Sequence, residues 1–117
     1  MNEDKSINKE LFKLANSVMK KAYAPYSKFK VGAAIFDENE KYHVGCNIEN
    51  AAYPIGNCAE ASAISAMIAS NGNKIIAISV TGYGNLLCTP CGGCRQRIRE
   101  FASLNVPIIV GLSLIHI

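Results

Sequence analysis

Two stretches of this chain, Lys74 to Tyr83 and Val106 to Leu112, are rich in isoleucine and valine and show no polar face. A strand that is apolar on both sides must be covered on both sides, so these runs belong inside a sheet with helices above and below it. The other elements follow from periodicity. From about Ser6 to Tyr23, Leu11, Leu14, Ala15, Val18 and Ala22 recur at helical spacing. Ser6 or Asn8 can cap this helix, and Pro25 stops its continuation. Lys30 to Asp37 and Lys41 to Asn47 read as a hairpin turning at Glu38-Asn39-Glu40. After an irregular segment comes a second helix, Cys58 to Ser70, with Asn57 expected at its N-cap and Gly72 at its C-terminal stop. A loop through Gly84 and Pro90 leads to a third helix, Cys91 to about Leu104. The order αββαβαβ predicts an α/β protein, a three-layer α/β/α sandwich around a mixed β-sheet.

A chain of 117 residues suits a single domain over residues 1–117. With 50% hydrophobic and 18% charged residues it can build a core, which argues against disorder. The net charge of +3 comes from scattered lysines and arginines, short of the basic patch a nucleic-acid binder needs. No apolar run reaches membrane-span length, and the charged start Met1-Asn-Glu-Asp-Lys is unlike a signal peptide. The expectation is a cytoplasmic protein with no nucleic-acid or membrane partner. The five cysteines include Cys91-Gly-Gly-Cys94, which in a reducing compartment reads as metal binding or redox chemistry before disulfides.

The chemistry concentrates at two predicted helix starts, Asn57-Cys-Ala-Glu60 and Pro90-Cys-Gly-Gly-Cys94. Cys91 and Cys94, three apart, face one side of a helical turn. If the helix starts meet at the end of the sheet, Cys58 joins them and three thiolates converge beside an open fourth position. Helix N-termini carry partial positive charge and favour thiolate over thiol. Three sulfurs with an open position fit a catalytic zinc better than a structural one, which closes with four protein ligands. Glu60 would stand beside a metal-activated water and accept its proton. Taken alone, Cys-x-x-Cys is equally a structural half-site or a redox pair, and Cys-Ala-Glu is an ordinary helix start. Their conjunction carries the reading. Cys46 reads as a packed strand residue, Cys88 as a loop thiol and His43 as a surface residue. Asn47 and Glu49 alone would be a solvated loop, and Phe29 alone a core residue.

At these residues the sequence resembles the cytidine deaminase family, specifically its small homotetrameric branch. The resemblance runs from Tyr23 to about Phe101. It includes Tyr23-Ala-Pro-Tyr-Ser-Lys-Phe-Lys-Val-Gly-Ala-Ala34, Gly45-Cys-Asn-Ile-Glu-Asn-Ala-Ala-Tyr53, Cys58-Ala-Glu60 and Pro90-Cys-Gly-Gly-Cys-Arg-Gln96. It implies one zinc ion per subunit held by Cys58, Cys91 and Cys94, with Glu60 as the proton shuttle. It further implies Asn47 and Glu49 on the ribose hydroxyls, Phe29 beside the pyrimidine ring, and the backbone near Ala59 at the base. Tyr53 would lie at a pocket and subunit boundary. The implied reaction is hydrolytic deamination of cytidine and deoxycytidine, and the implied partners are a nucleoside and three further copies of the chain. The rivals are a deaminase of another aminated nucleoside, such as a blasticidin-like compound, and a non-catalytic zinc module.

Two departures stand out. The family branch carries Arg directly after Cys-Ala-Glu, where it offsets thiolate charge; this chain has Ala61, and Arg95 is expected to compensate in part. The native C-terminal segment is expected to be missing, with Leu112 to Ile117 non-native read-through of a sequencing adapter, so His116 is not counted as a ligand.

Overall fold

The computed structural model describes residues 2–82, 92–103, 106–110 and 113–116. In chain order the elements are α1 (Asn2–Met19), β1 (Val31–Asp37), β2 (Tyr42–Cys46), a short 3-10 turn (Tyr53–Ile55), α2 (Ala59–Ala69), β3 (Ile75–Gly82), α3 (Gly92–Phe101), β4 (Pro107–Val110) and β5 (Ser113–His116). The five strands form one sheet in the order β2-β1-β3-β4-β5. β1 is antiparallel to β2 and β3, β3 and β4 are parallel, and β5 returns antiparallel on β4. A parallel pair needs a crossover, and α3 supplies it. The sheet is therefore mixed.

Alternation along the strands assigns the two faces. Ala33, Ile35, Ile78, Val80, Ile108 and Val110 pack with Ala63, Ile64 and Met67 of α2 and Ile98 of α3. Ala34, Phe36, Ala77 and Ile109 meet Leu11 and Ala15 of α1 on the other side. These are the three layers implied by strands with no polar side. Gly32 on the α1 face and Gly45 on the α2 face let helix backbone lie against the sheet. At Gly45 a Cβ would fall 2.7 Å from the Ala59 carbonyl oxygen, so α2 is seated as closely as the chain permits.

Three expectations are corrected. The first helix ends at Met19, not near Tyr23, because the Tyr23 backbone is drawn into a bridge with Ile48: its N–H donates to Asn47 O (3.0 Å) and its carbonyl accepts from Glu49 N–H (2.8 Å). The N-cap of α2 is Cys58 in extended conformation, not Asn57, whose N–H and C=O are both committed to Ile48. At the other end of α2 the left-handed residue is Asn71 (φ 72°), and the N–H groups of Asn71 and Gly72 close on Ile68 and Met67 carbonyls in a Schellman pattern. Gly72, part of this stop as expected, answers a second need too, since a Cβ there would lie 2.8 Å from Met67 Cγ and against the Asp37 carboxylate.

Asp37 is also where His43 goes. It is a buried residue, not a surface one, with Nε2 2.6 Å from Asp37 Oδ2. Asp37 Oδ1 accepts from the N–H groups of Asn39 (2.8 Å) and Lys41 (3.0 Å), fixing the hairpin turn. Strand parity carries the physical reason: His43 shares the inward face of Gly45, while Val44 between them is 38% exposed.

Candidate metal centre and active site

Backbone pairing brings the separate motifs together. Ile48 and Asn57 exchange two hydrogen bonds of 2.8 Å, and Tyr23 bridges to the same Ile48 strand segment. Cys58, the next residue, opens α2 beside the segment that carries Asn47 and Glu49. Because α2 and α3 lie on one face of the sheet, their N-terminal ends meet.

At that meeting point Cys58 Sγ, a Glu60 carboxylate oxygen and Cys94 Sγ all lie within 4.8 Å of one another. Cys94 is fully buried, Glu60 is 5% exposed and Cys58 is half-buried. Thiols at this spacing suit zinc, and the Glu60 carboxylate stands beside them. The Cys58 thiol is pulled down to about 6, first by hydrogen bonding with Cys94 and against the effect of burial, with the Ala61 N–H and the Arg97 charge adding to the fall. A sulfur so poised binds metal readily. Burial pushes the Glu60 carboxyl above its ordinary range, and the Cys58 sulfur adds to the rise. A carboxyl that both takes and returns protons near neutral pH needs this direction of shift. Cys91, the expected third sulfur, and Cys88 lie outside the described residues.

A cleft of about 650 Å³ opens from Cys58 past Asn57, Glu49, Asn47, Ser27 and Tyr26. The Asn47 side chain is locked in place: Oδ1 accepts from Val31 N–H (2.8 Å), and Nδ2 donates to Phe29 O (3.0 Å). An amide has two donors and two acceptor lone pairs, so one of each remains for a ligand. Glu49 Oε1 accepts from the N–H groups of Tyr26 and Ser27, both at 3.0 Å, and Ser27 Oγ donates to Oε2. The Ser27 hydroxyl first, then these N–H groups, hold the Glu49 carboxyl below the usual range. Phe29 is half-buried next to this anchor and Ala59 is fully buried at the start of α2. Tyr53 opens the 3-10 turn, and its side chain is outside the described ones.

Arg97 was not singled out from the sequence. Its Nη1 donates to Cys58 Sγ and to Cys94 Sγ, each at 3.6 Å; Arg95, the expected compensating cation, is exposed like Arg97, and among the described residues it makes no bond to either sulfur. The signal was present: Arg97 follows Cys94 by three residues, which places it over the same helix face as Cys94.

Residues 5–110 match the family described as the cytidine and deoxycytidylate deaminase zinc-binding region. The cytidine deaminase of Sporosarcina psychrophila is 42% identical over 87 residues, 74% of this chain and 64% of that protein. The cytidine deaminase of Mycobacterium tuberculosis (strain CDC 1551 / Oshkosh) is 41% identical over 80 residues, 68% of this chain and 59% of that protein. The chain thus spans just under two thirds of the length of these relatives. The crystal structure of cytidine deaminase from Burkholderia pseudomallei superposes with a TM-score of 0.81 at 39% identity, covering 86% of this chain and 81% of that one.

Proposed function

Because the chain belongs to the cytidine and deoxycytidylate deaminase zinc-binding family, we propose that it hydrolyses cytidine and deoxycytidine to uridine and deoxyuridine with release of ammonia. The observation that carries this reading is the convergence of Cys58, Glu60 and Cys94, with Cys58 lining a cleft that Asn47 and Glu49 also line. Cys58 and Cys94, with Cys91, would hold the zinc, which would supply the Lewis acidity that makes water nucleophilic at neutral pH. Glu60 takes a proton from the attacking water as oxygen bonds to C4 of the pyrimidine, and delivers it to N3. Glu60 then carries the water's second proton to the departing amino group, and ammonia leaves as the C4 carbonyl forms. Each proton is accounted for by one carboxylate, whose pKa burial raises above the ordinary carboxylate value.

Asn47 and Glu49 bind the sugar hydroxyls, with Phe29 beside the base and Ala59 backbone against it. A site that spends partly buried polar groups on those hydroxyls disfavours the free base, which leaves them unpaired. The chain assembles as a homotetramer: Tyr23, Tyr26, Ile48 and Ile55, 50–69% exposed, gather near the cleft mouth and suit burial against another copy. The protein acts in the cytoplasm on free nucleosides; among the described residues no helix is long and apolar enough to cross a membrane.

The test is ammonia release from cytidine by the zinc-loaded chain, with Glu60→Gln beside it. The variant should keep its zinc and lose turnover by about 10²–10⁴-fold. A variant as fast as the wild type would exclude Glu60 from proton transfer. A zinc-replete wild type that releases no ammonia from either nucleoside would refute the assignment.

A further inference from the structure

We propose that Arg97 is a positioning residue of the metal centre, its guanidinium shared between two ligand sulfurs so that their charge is drawn away from the metal. The proposal rests on the zinc reading above. Two observations carry it. Arg97 Nη1 stands 3.6 Å from Cys58 Sγ and 3.6 Å from Cys94 Sγ, so a single nitrogen bridges ligands that come from different helices. Ala61, at the start of α2, has no side chain able to donate to either sulfur.

The charge balance explains the need for a cation here. Three cysteine thiolates around a divalent ion sum to one negative charge, and an ionised Glu60 would add a second. Cys94 and Glu60 are buried, where uncompensated charge is costly. A guanidinium that donates to sulfur lowers its electron donation, leaving the metal more electrophilic, and it also pins the start of α2 to α3. Gly93 lies beside the guanidinium, and even a Cβ there would meet Nη1 only at 3.6 Å, an ordinary contact. Arginine suits this place better than lysine because its fixed, planar donors address two acceptors at once. The same residue three positions after Cys94 thus does for this chain what its own Arg95 and Ala61 do not.

The experiment uses the full chain loaded with cobalt(II), whose sulfur-to-metal charge-transfer absorption reports directly on sulfur donation. Wild type, Arg97→Gln, Arg97→Lys and the double variant Ala61→Arg/Arg97→Gln are compared, with far-UV circular dichroism as the check on folding. Arg97→Gln should shift the band to lower energy and reduce kcat about tenfold while KM stays within about twofold, the lower end for a charge-assisted bond at an exposed group. Arg97→Lys should fall between it and wild type. The double variant should move the band back toward the wild-type position and recover part of kcat, an outcome that a merely structural Arg97 does not produce. A clear wild-type band that stays in place in Arg97→Gln and Arg97→Lys overturns the role of Arg97 alone. A wild-type chain without a sulfur-to-cobalt band overturns the metal reading itself. Should Arg97→Gln not fold, the position of the Arg97→Lys band decides between the first two outcomes.

Discussion

Gly45→Ala tests whether the seating of α2 on the sheet governs the active site. The added Cβ would lie 2.7 Å from both Ala59 O and the Ser62 carbonyl carbon, and closer still to Ala63 N. Carbon contacts settle near 3.5 Å, so the helix start must lift by about 1 Å. All three obstructing atoms are backbone, so no rotamer change relieves them. Overpacking a core costs about 1–3 kcal/mol, and three backbone contacts place this substitution at about 3 kcal/mol. For a chain of 117 residues, 1 kcal/mol moves Tm by about 4 °C, giving a fall of about 12 °C. The lifted end carries Cys58 and Glu60, and a 1 Å misplacement there should lower kcat on the order of 10²-fold. Differential scanning calorimetry and steady-state deamination on the same samples measure both, with Val44→Ala on the opposite strand face as a control that moves Tm by less than about 4 °C. A Gly45→Ala protein that melts with the wild type and keeps its turnover would refute the close-seating account.

Asp37 provides a pH test. Burial pushes its carboxyl up, but the His43 hydrogen bond and the Lys41 and Asn39 N–H groups together outweigh that and leave it below its ordinary value. Its contribution to stability is therefore complete above the unfolded carboxylate pKa of about 4 and is lost as pH falls through the lower folded value. His43→Ala should cost about 3 kcal/mol at pH 7 in urea unfolding, with the gap to wild type narrowing as pH falls below about 4; a gap that widens in acid contradicts the sign. Met67→Ala, at a fully buried position under α2, should cost about 3 kcal/mol, and a loss below about 1 kcal/mol would mean the site collapses to fill the cavity. Glu49→Gln should raise KM for cytidine about tenfold with zinc content unchanged, whereas an unaltered KM removes Glu49 from sugar binding.

What the sequence disclosed follows from how locally each feature is encoded. β3 and β4 were legible because an apolar run with no polar side has few places to go, and the hairpin because Glu38-Asn39-Glu40 separates two alternating segments. Cys58, Glu60 and Cys94 were legible because helix starts are local and ligand spacing is fixed by helix geometry. The boundaries that moved depend on distant partners. Tyr23 leaves the helix for Ile48, and Asn57 gives up the cap for the same residue. His43 was misplaced because its partner, Asp37, lies across the hairpin, and a single histidine gives no sign of which strand face is buried. Arg97 escaped notice because its value depends on Cys58, 39 residues away, arriving at the same sulfur pair.

The Gly72–Asp37–His43 contact has a mechanical consequence. It sits at one end of α2, and Cys58 and Glu60 sit at the other. The 11 residues of that helix make a rigid arm about 16 Å long, pivoted on a buried side-chain pair in the hairpin turn. A tilt of about 4° at the pivot sweeps the catalytic end through about 1 Å, the displacement that costs on the order of 10²-fold in rate. Substitutions at Asp37, His43 or Gly72 should therefore alter the alignment of Glu60 from the far end of the helix.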